Sequence, residues 1–344
     1  MDIEQRTGPM VTIITPTFNH EKFIAACIES ILQQTDPRWE MIIIDDGSTD
    51  GTPEIVRRFR DPRITFVRED HRGITALGDR YNEALHRAKG ELLLILEGDD
   101  YIPRDRLEIQ LPSFEDPEVV LSHGRYAYAY EKERIVYGLS FKEEDLRNKP
   151  RGSALRIFLQ GFNPIGTQSV MLRKSTLLEA GGFVQPGYLP LVDYPTWMQL
   201  ALRGQFFFIP RVLGYWRRHA LSVTMQSNEE IVLGFIRYCD EFVQVHGEYL
   251  NGLGLGPYSQ NRGVLAYLSL AWSNLSKGDW KNAYDLAQES WKRREVIDGA
   301  FKRKILITFL SAYLHLDIPS AMKILRRRLG LRLQRDPSGV AFSS

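Results

Sequence analysis

Between Gly90 and Gly98 lies a run of five aliphatic residues, Leu92-Leu-Leu-Ile-Leu96, and the chain turns acidic as soon as it ends, in Glu97-Gly-Asp-Asp100. So short an apolar run between glycines reads as a strand buried on both faces, the kind found inside a parallel sheet with helices on either side. In open parallel sheets, ligands bind outside the carboxyl ends of the strands. Two adjacent carboxylates placed there repel each other unless a cation shares their charge. Hard oxygen ligands suit Mg²⁺ or Mn²⁺, and Mg²⁺ typically takes one or two carboxylates plus substrate phosphates. A solvated Asp-Asp turn leaves the same trace in a sequence, so the other strand ends have to decide.

Residues 10–15 are β-branched and apolar and read as a first strand, ended by Pro16. Asn19 is a candidate N-cap for a helix whose stripe is Ile24, Cys27, Ile28, Ile31 and Leu32. Residues 41–44 form a second buried strand, and it too stops in acids, Asp45-Asp-Gly-Ser-Thr-Asp50. Thr52 then caps a helix with Pro53 in its first turn. A third strand at Ile64–Val67 is followed by a helix carrying Leu77, Tyr81, Ala84, Leu85 and Ala88 on one side. The order β-α-β-α-β-α-β, with short connections, gives a doubly wound, mostly parallel α/β sheet. No G-x-G-x-x-G follows the first strand, which argues against a dinucleotide site, and no P-loop is present. Acidic loops reach a phosphate through a metal, or they bind the ribose and base.

The 344 residues allow two domains or one large one, and 43% hydrophobic and 25% charged residues are ordinary for a soluble globular chain. A net charge of +1 gives no footprint for nucleic acid, and no nucleic-acid partner is expected. Cys27 and Cys239 are far apart and without metal-ligand spacing, which fits a reducing compartment. The first ten residues lack the basic and apolar regions of a secretory leader. No uncharged apolar run reaches the ~18 residues of a membrane span. A cytoplasmic location follows as an expectation.

Taken in order, Thr15-Pro-Thr-Phe-Asn19, Asp45-Asp-Gly-Ser-Thr-Asp50 and Glu97-Gly-Asp-Asp100 resemble the inverting nucleotide-sugar glycosyltransferases of family 2, which have a GT-A fold. The resemblance covers about residues 8–225. It implies that Thr15, Pro16 and Phe18 line the nucleotide, with Phe18 against the base. It implies that Asp46 accepts from a base N–H, which favours uracil, and that Asp99 approaches the ribose. Asp100 would hold a divalent Mn²⁺ or Mg²⁺ at the diphosphate. The usual D-x-D spelling appears here as Gly98-Asp-Asp100 with Glu97 ahead, so which acid holds the metal is less defined than its presence.

Residues 119–140 alternate and are rich in tyrosine, as expected of antiparallel strands. Tyr126, Tyr128 and Tyr130 share one face, either half-buried or stacked on a sugar. Residues 142–152 are charged and proline-broken and read as a loop. Asn163–Arg173 and Gly181-Gly-Phe183 resemble the acceptor half of the family's cleft. Asp193 falls where the family carries the aspartate of Glu-Asp-Tyr, its general base, although Val192 replaces the glutamate and Pro195 enters the following first turn. Trp216-Arg-Arg-His219 resembles a motif that would turn Arg217 toward the pyrophosphate and His219 toward the metal.

From residue 226 the pattern is helical, at 228–246, 261–276, 279–293, 300–314 and 318–334, and Trp272–Tyr284 resembles a single tetratricopeptide hairpin. Residues 291–335 hold twelve Lys/Arg against acids at 295, 298 and 317. Ala321–Leu333 puts leucines on one side and arginines on the other, which suits either an anionic membrane surface or docking on the protein. The expected organisation is a catalytic domain at 1–225, a helical region at 226–336 and a disordered tail at 337–344. The expected activity is metal-dependent inverting transfer of a sugar from a nucleoside diphosphate, UDP by preference, to a hydroxyl of a glycan or lipid-linked acceptor in cell-surface polysaccharide synthesis, with the enzyme peripheral on the membrane. A nucleotidyltransferase would need a Gly-rich basic loop after the first strand, which is missing. An inactive scaffold has only Val192 in its favour.

Overall fold

The computed structural model describes residues 10–130, 135–137, 143–219 and 228–316. Two expectations, the basic segment Ala321–Leu333 and the tail at 337–344, lie outside them, as does the side chain of Tyr130. The chain divides into two compact units. Among the described residues, the first holds those up to 137 together with 146–151 and 165–219, and the second holds 143–145, 152–164 and 228–316.

The first unit is built on one eight-stranded sheet. Its strands are β1 (Val11–Thr17), β2 (Trp39–Asp45), β3 (Ile64–Arg68), β4 (Leu92–Ile95), β5 (Val119–Tyr130), β6 (Ile135–Tyr137), β7 (Met171–Arg173) and β8 (Gln205–Arg218). The order is β3-β2-β1-β4-β7-β5-β6, with β8 on β5. β3, β2, β1 and β4 are parallel, as the alternating helices require. β7 is antiparallel to both β4 and β5 and joins that half to the rest. β5 was expected to have antiparallel neighbours. It has them in β6 and β7, but its longest pairing, with β8, is parallel.

Its helices are α1 (Ile24–Leu32), α2 (Thr52–Val56), α3 (Leu77–Arg87), α4 (Arg106–Gln110), α7 (Lys174–Glu179) and α8 (Asp193–Ala201), while of the two short helices between, α5 (Glu143–Leu146) straddles the unit boundary and α6 (Leu155–Phe158) belongs to the second unit. The core lies where the apolar runs predict. Val11, Ile13, Met41, Ile43, Leu92 and Leu94 pack against Ile24, Cys27, Ile28 and Ile31 of α1. Complete burial of one such aliphatic side chain stabilises by about 1.5–3 kcal/mol.

Pro16 does not end β1. The strand runs on to Thr17, with Pro16 beside Ile44. A proline fits there because it only has to accept. Its carbonyl takes the Gly98 amide at 3.0 Å, and the Thr17 carbonyl takes the Asp46 amide at 3.0 Å. The end of β1 therefore ties down both acidic turns, one on each side.

The two expected helix caps also act otherwise. Asn19 sits at φ 55° and its side chain accepts from the Thr49 amide at 2.9 Å, while its own amide donates to Ser48 Oγ at 2.8 Å. Thr52 accepts from the His20 amide at 2.8 Å, and Gly51 is the N-cap of α2. Both residues cross-link the loops after β1 and β2 instead of capping helices.

The second unit is helical: α9 (Asn228–Gly252), α10 (Gly256–Gln260), α11 (Val264–Lys277), α12 (Trp280–Lys292) and α13 (Gly299–Leu314). The Trp272–Tyr284 signature is the α11–α12 hairpin. Gly278 turns it at φ 76°, and Asp279 caps α12 by accepting from the Asn282 amide. Val264, Leu265 and Leu268 pack with Phe301 and Ile305, and the Trp272 indole donates to Thr308 Oγ1 at 2.7 Å. Among the described residues, no helix is long and apolar enough to cross a membrane.

Candidate active site

Two acidic strand ends flank β1. At the end of β2, Asp45 is fully buried, accepts from the Ser48 amide and hydroxyl, and pairs with Arg68 at 3.3 Å. Asp46 accepts from Arg80 Nη2 at 2.7 Å and Nε at 3.0 Å, and from the Arg72 and Gly73 amides at 3.1 and 2.9 Å. His71 Nδ1 lies 2.8 Å from its other oxygen. Burial works to raise the Asp46 carboxyl, but the Arg80 guanidinium and the two amides outweigh it and hold the group below the usual carboxylate range. A carboxylate has about four lone-pair sites, so a base N–H would have to displace one of these donors. Arg80 is itself only 3% exposed and also pairs with Glu69 and Glu83.

These bonds fix the loop at 70–73. Gly47 makes the approach possible, because at φ 73° a Cβ there would lie 2.7 Å from the His71 amide nitrogen. His71 thereby stacks on Phe18, with centroids 4.2 Å apart and planes 18° apart. Phe18 is 38% exposed, whereas Thr15 is fully buried with its hydroxyl unbonded. A cavity of about 520 Å³ opens beside this pair, lined by Gly47, Arg68, Glu69, Asp70 and His71.

At the end of β4 the charge is not balanced in this way. Tyr81 donates to Glu97 Oε1 at 3.0 Å. His219 Nε2 lies 3.0 Å from Asp99 Oδ2, and His20 lies 4.0 Å from the same oxygen. Asp100 Oδ1 accepts from the Arg217 amide at 2.9 Å, while its buried Oδ2 receives no hydrogen bond. The Arg217 guanidinium donates to the Asp99 carbonyl at 2.9 Å and lies over the Tyr101 ring at 4.6 Å, so it bonds to no carboxylate in this cluster. Burial and the charge of Asp99 push Glu97 up to about 8, even against the lowering bond from Tyr81. Burial, Asp99 and Glu97 together push Asp100 well above the ordinary range. Burial also opposes the charge on Asp99, but the bond to His219 and the nearby His20 hold it low. β8 supplies the two basic residues because Tyr215 bridges to Tyr101, with the two rings stacked at 4.6 Å.

Asp193 is the first residue of α8, where the positive end of the helix dipole favours a carboxylate. Its Oδ1 accepts from the Tyr194 amide at 2.7 Å, and its Oδ2 accepts from Thr167 Oγ1 at 3.3 Å. Its charge reaches Glu97 and Tyr81, which places it on the side of the β4 acids. The segment that follows Thr167 is pinned by Arg106, a fully buried residue that donates to the carbonyls of Gln168 at 2.6 Å and Val170 at 2.8 Å. Val192 is buried, and its carbonyl accepts from Thr196 Oγ1 at 2.6 Å.

The expected site residues thus fall into two groups. Phe18 and Asp46 gather at the β2 end, and Asp99, Asp100, Arg217 and His219 gather at the β4 end with Asp193 in electrostatic reach. Arg80, His71, His20, Tyr81, Thr167 and Arg106 were not singled out in the sequence. A buried arginine within a helical stripe leaves no periodic signal. Among the described residues, no group of three or more His, Cys, Asp or Glu is arranged to hold a metal by itself. The donor set still fits a divalent ion that takes its other ligands from a substrate, because Asp100 Oδ2 is a buried carboxylate oxygen without a partner.

Comparison with known proteins bears on family and fold. The model of glycosyl transferase family 2 matches residues 12–179. The chain is 30% identical over 198 residues to the putative teichuronic acid biosynthesis glycosyltransferase TuaG of Bacillus subtilis, covering 57% of this chain and 73% of that one. It is 28% identical over 225 residues to the UDP-Glc:alpha-D-GlcNAc-diphosphoundecaprenol beta-1,3-glucosyltransferase WfaP of Escherichia coli, covering 65% and 83%. Among solved structures, S. aureus TarS 1-349 superposes with a TM-score of 0.56 at 18% identity, covering 94% of this chain and 93% of that one. The mannosyltransferase PcManGT of Pyrobaculum calidifontis, solved with GDP-Man and Mn²⁺, gives 0.52 at 20% identity, covering 90% and 87%. At these identities the structures speak for the fold alone, which is GT-A-like. The chain belongs to glycosyl transferase family 2.

Proposed function

We propose that this chain is an inverting glycosyltransferase that takes a sugar from a nucleoside diphosphate, UDP by preference, and gives it to a hydroxyl of a glycan or lipid-linked acceptor. The observation that carries the reading is the β4 strand end, where the acids Glu97, Asp99 and Asp100 are crowded together and Asp193 lies within electrostatic reach of Glu97. The base stacks on Phe18, which His71 holds in place. Asp99 meets the ribose, and Arg217 and His219 face the diphosphate. Mn²⁺ or Mg²⁺ would be held by Asp100 through Oδ2, beside Asp99 and His219, and when bound it supplies positive charge against the leaving diphosphate.

Asp193 accepts the proton of the acceptor hydroxyl. That oxygen bonds to the anomeric carbon on the face opposite the diphosphate. The carbon–oxygen bond to the diphosphate breaks, and its electron pair leaves with the nucleotide. Thr167 and the Tyr194 amide orient the carboxylate for this role. Relatives named for teichuronic acid biosynthesis and for a diphosphoundecaprenol acceptor support an enzyme working at a membrane. The arginine-rich segment after α13 suits an anionic lipid surface there.

A panel of UDP-sugars, assayed for UDP release with Mn²⁺, tests the reading. Asp193→Asn should lower turnover by about 10²–10⁴ while UDP binding, measured by calorimetry, is kept. Failure of the chain to bind UDP, GDP, CDP or dTDP with Mn²⁺ would rule the reading out.

A further inference from the structure

α13 is apolar on two opposite sides. One side, with Phe301, Ile305 and Ala312, is buried with Leu265, Leu268 and Leu275. The other carries Leu306 and Leu310, each 50% exposed, Tyr313 at 79% and Leu314 at 46%, with Leu316 at 56% just past the helix. Spacings of four, seven and eight residues from Leu306 put these side chains on one face. A helix that is apolar all round is ordinarily covered all round, and a contiguous exposed apolar patch marks an interaction site.

Charge indicates what covers it. α13 contains Lys302, Arg303 and Lys304 and no acid, and the exposed Arg303 opens the same face one turn before Leu306. Residues 317–335 add Lys/Arg at 323, 326–328, 332 and 335 against the single acid Asp317. An apolar stripe framed by cations is complementary to acyl chains beneath anionic headgroups. Tyr313 has the apolar body and polar tip favoured at that boundary. The helix is also held at both ends. Asp298 accepts from the Phe301 amide at 2.9 Å, and Trp280 stacks on His315 at 5.7 Å. The face is therefore preformed, and little ordering accompanies binding.

We propose that the outward face of α13, formed by Leu306, Leu310, Tyr313 and Leu314 with Arg303, lies on the surface of an anionic lipid bilayer. This rests on the reading of a membrane-working enzyme and adds to it a surface within the folded helical unit. Vesicle co-sedimentation of the full chain tests it, using phosphatidylcholine alone and phosphatidylcholine with phosphatidylglycerol. The unaltered protein should bind only the anionic vesicles, and less in high salt. Leu306→Ser, Leu310→Ser and Tyr313→Ser combined should weaken binding at least ~tenfold, with the helical circular dichroism and UDP binding unchanged. A triple variant that binds vesicles as the unaltered chain does overturns the proposal. If Arg326→Glu, Arg327→Glu and Arg328→Glu alone abolish binding, the lipid contact belongs to the later segment and the membrane reading survives without α13. Loss of self-association in the triple variant with vesicle binding intact would show instead that a second copy covers the face. UDP binding on the same samples keeps the glycosyltransferase reading separate from either result.

Discussion

The two acidic strand ends beside β1 look alike in the sequence and differ in the structure. After β2, Asp45 and Asp46 meet Arg68, Arg80 and backbone amides, and Asp46 is held below the usual carboxylate range. After β4, Glu97, Asp99 and Asp100 have His219, His20, Tyr81, the Gln168 side chain and one amide but no guanidinium on a carboxylate, and Glu97 and Asp100 are still pushed upward. The first corner completes its charge from within the chain and uses it to fix a loop. The second crowds its acids, so that burial and mutual repulsion push Glu97 and Asp100 toward the neutral form, and the cation proposed above would offset that repulsion. An acid-rich strand end thus has two physical meanings, and the number of buried arginines around it tells them apart.

Removing a partner from the first corner should produce the largest loss of stability. Arg80→Met leaves Asp46 without its guanidinium, and Glu69 and Glu83 with Arg72 alone, and should cost about 3–5 kcal/mol in urea unfolding, with nucleotide binding falling as the 70–73 loop loosens. A cost below 1 kcal/mol would mean that the pairing is not what holds the corner, and the contrast would collapse. The pH dependence of stability needs a correction from His123, which lies apart from both corners. It is buried, 2.7 Å from the Leu146 carbonyl, and burial pushes it from 6.5 to about 4. The unfolded chain then binds more protons, so its stabilising contribution is complete above pH 6.5 and lost as pH falls toward 4, in total about 3 kcal/mol. His123→Gln should flatten that limb of the urea-midpoint profile. The Asp46 contribution is lost only at lower pH, below the ordinary carboxylate range, because its shift is downward. The smallest effect belongs to Phe18→Ala, which removes one exposed stacking face and should weaken UDP binding by about 0.5–1.5 kcal/mol in calorimetry.

How much of this could be read from the sequence depends on the range of the interactions. The aliphatic runs at 41–44 and 92–96 and the helical stripes between them are local patterns, and β1 to β4 lie where those patterns put them. The parallel pairing of β5 with β8 joins distant segments and has no local signature. Asn19 and Thr52 show the same limit: both have the residue type of a cap, but the nearest backbone amides to need them belong to the opposite loop. Asp193 could be named as a candidate because a motif surrounds it. Arg80 and Arg106 were not, since a buried arginine is recognised only by the carboxylate or carbonyls it meets across the fold.

The contrast between the corners is tested most directly by urea unfolding of the unaltered chain and Asp100→Asn, each with chelator and with Mn²⁺ plus UDP. Replacing a carboxyl that burial and its acidic neighbours already push toward the neutral form should leave the variant at least as stable as the unaltered protein in chelator, by up to about 1 kcal/mol. Addition of Mn²⁺ and UDP should stabilise the unaltered chain, by about 2.7 kcal/mol at a hundredfold excess over Kd, and the variant hardly at all. An Asp100→Asn variant that is less stable in chelator, yet gains as much from Mn²⁺ and UDP as the unaltered chain, would contradict the account.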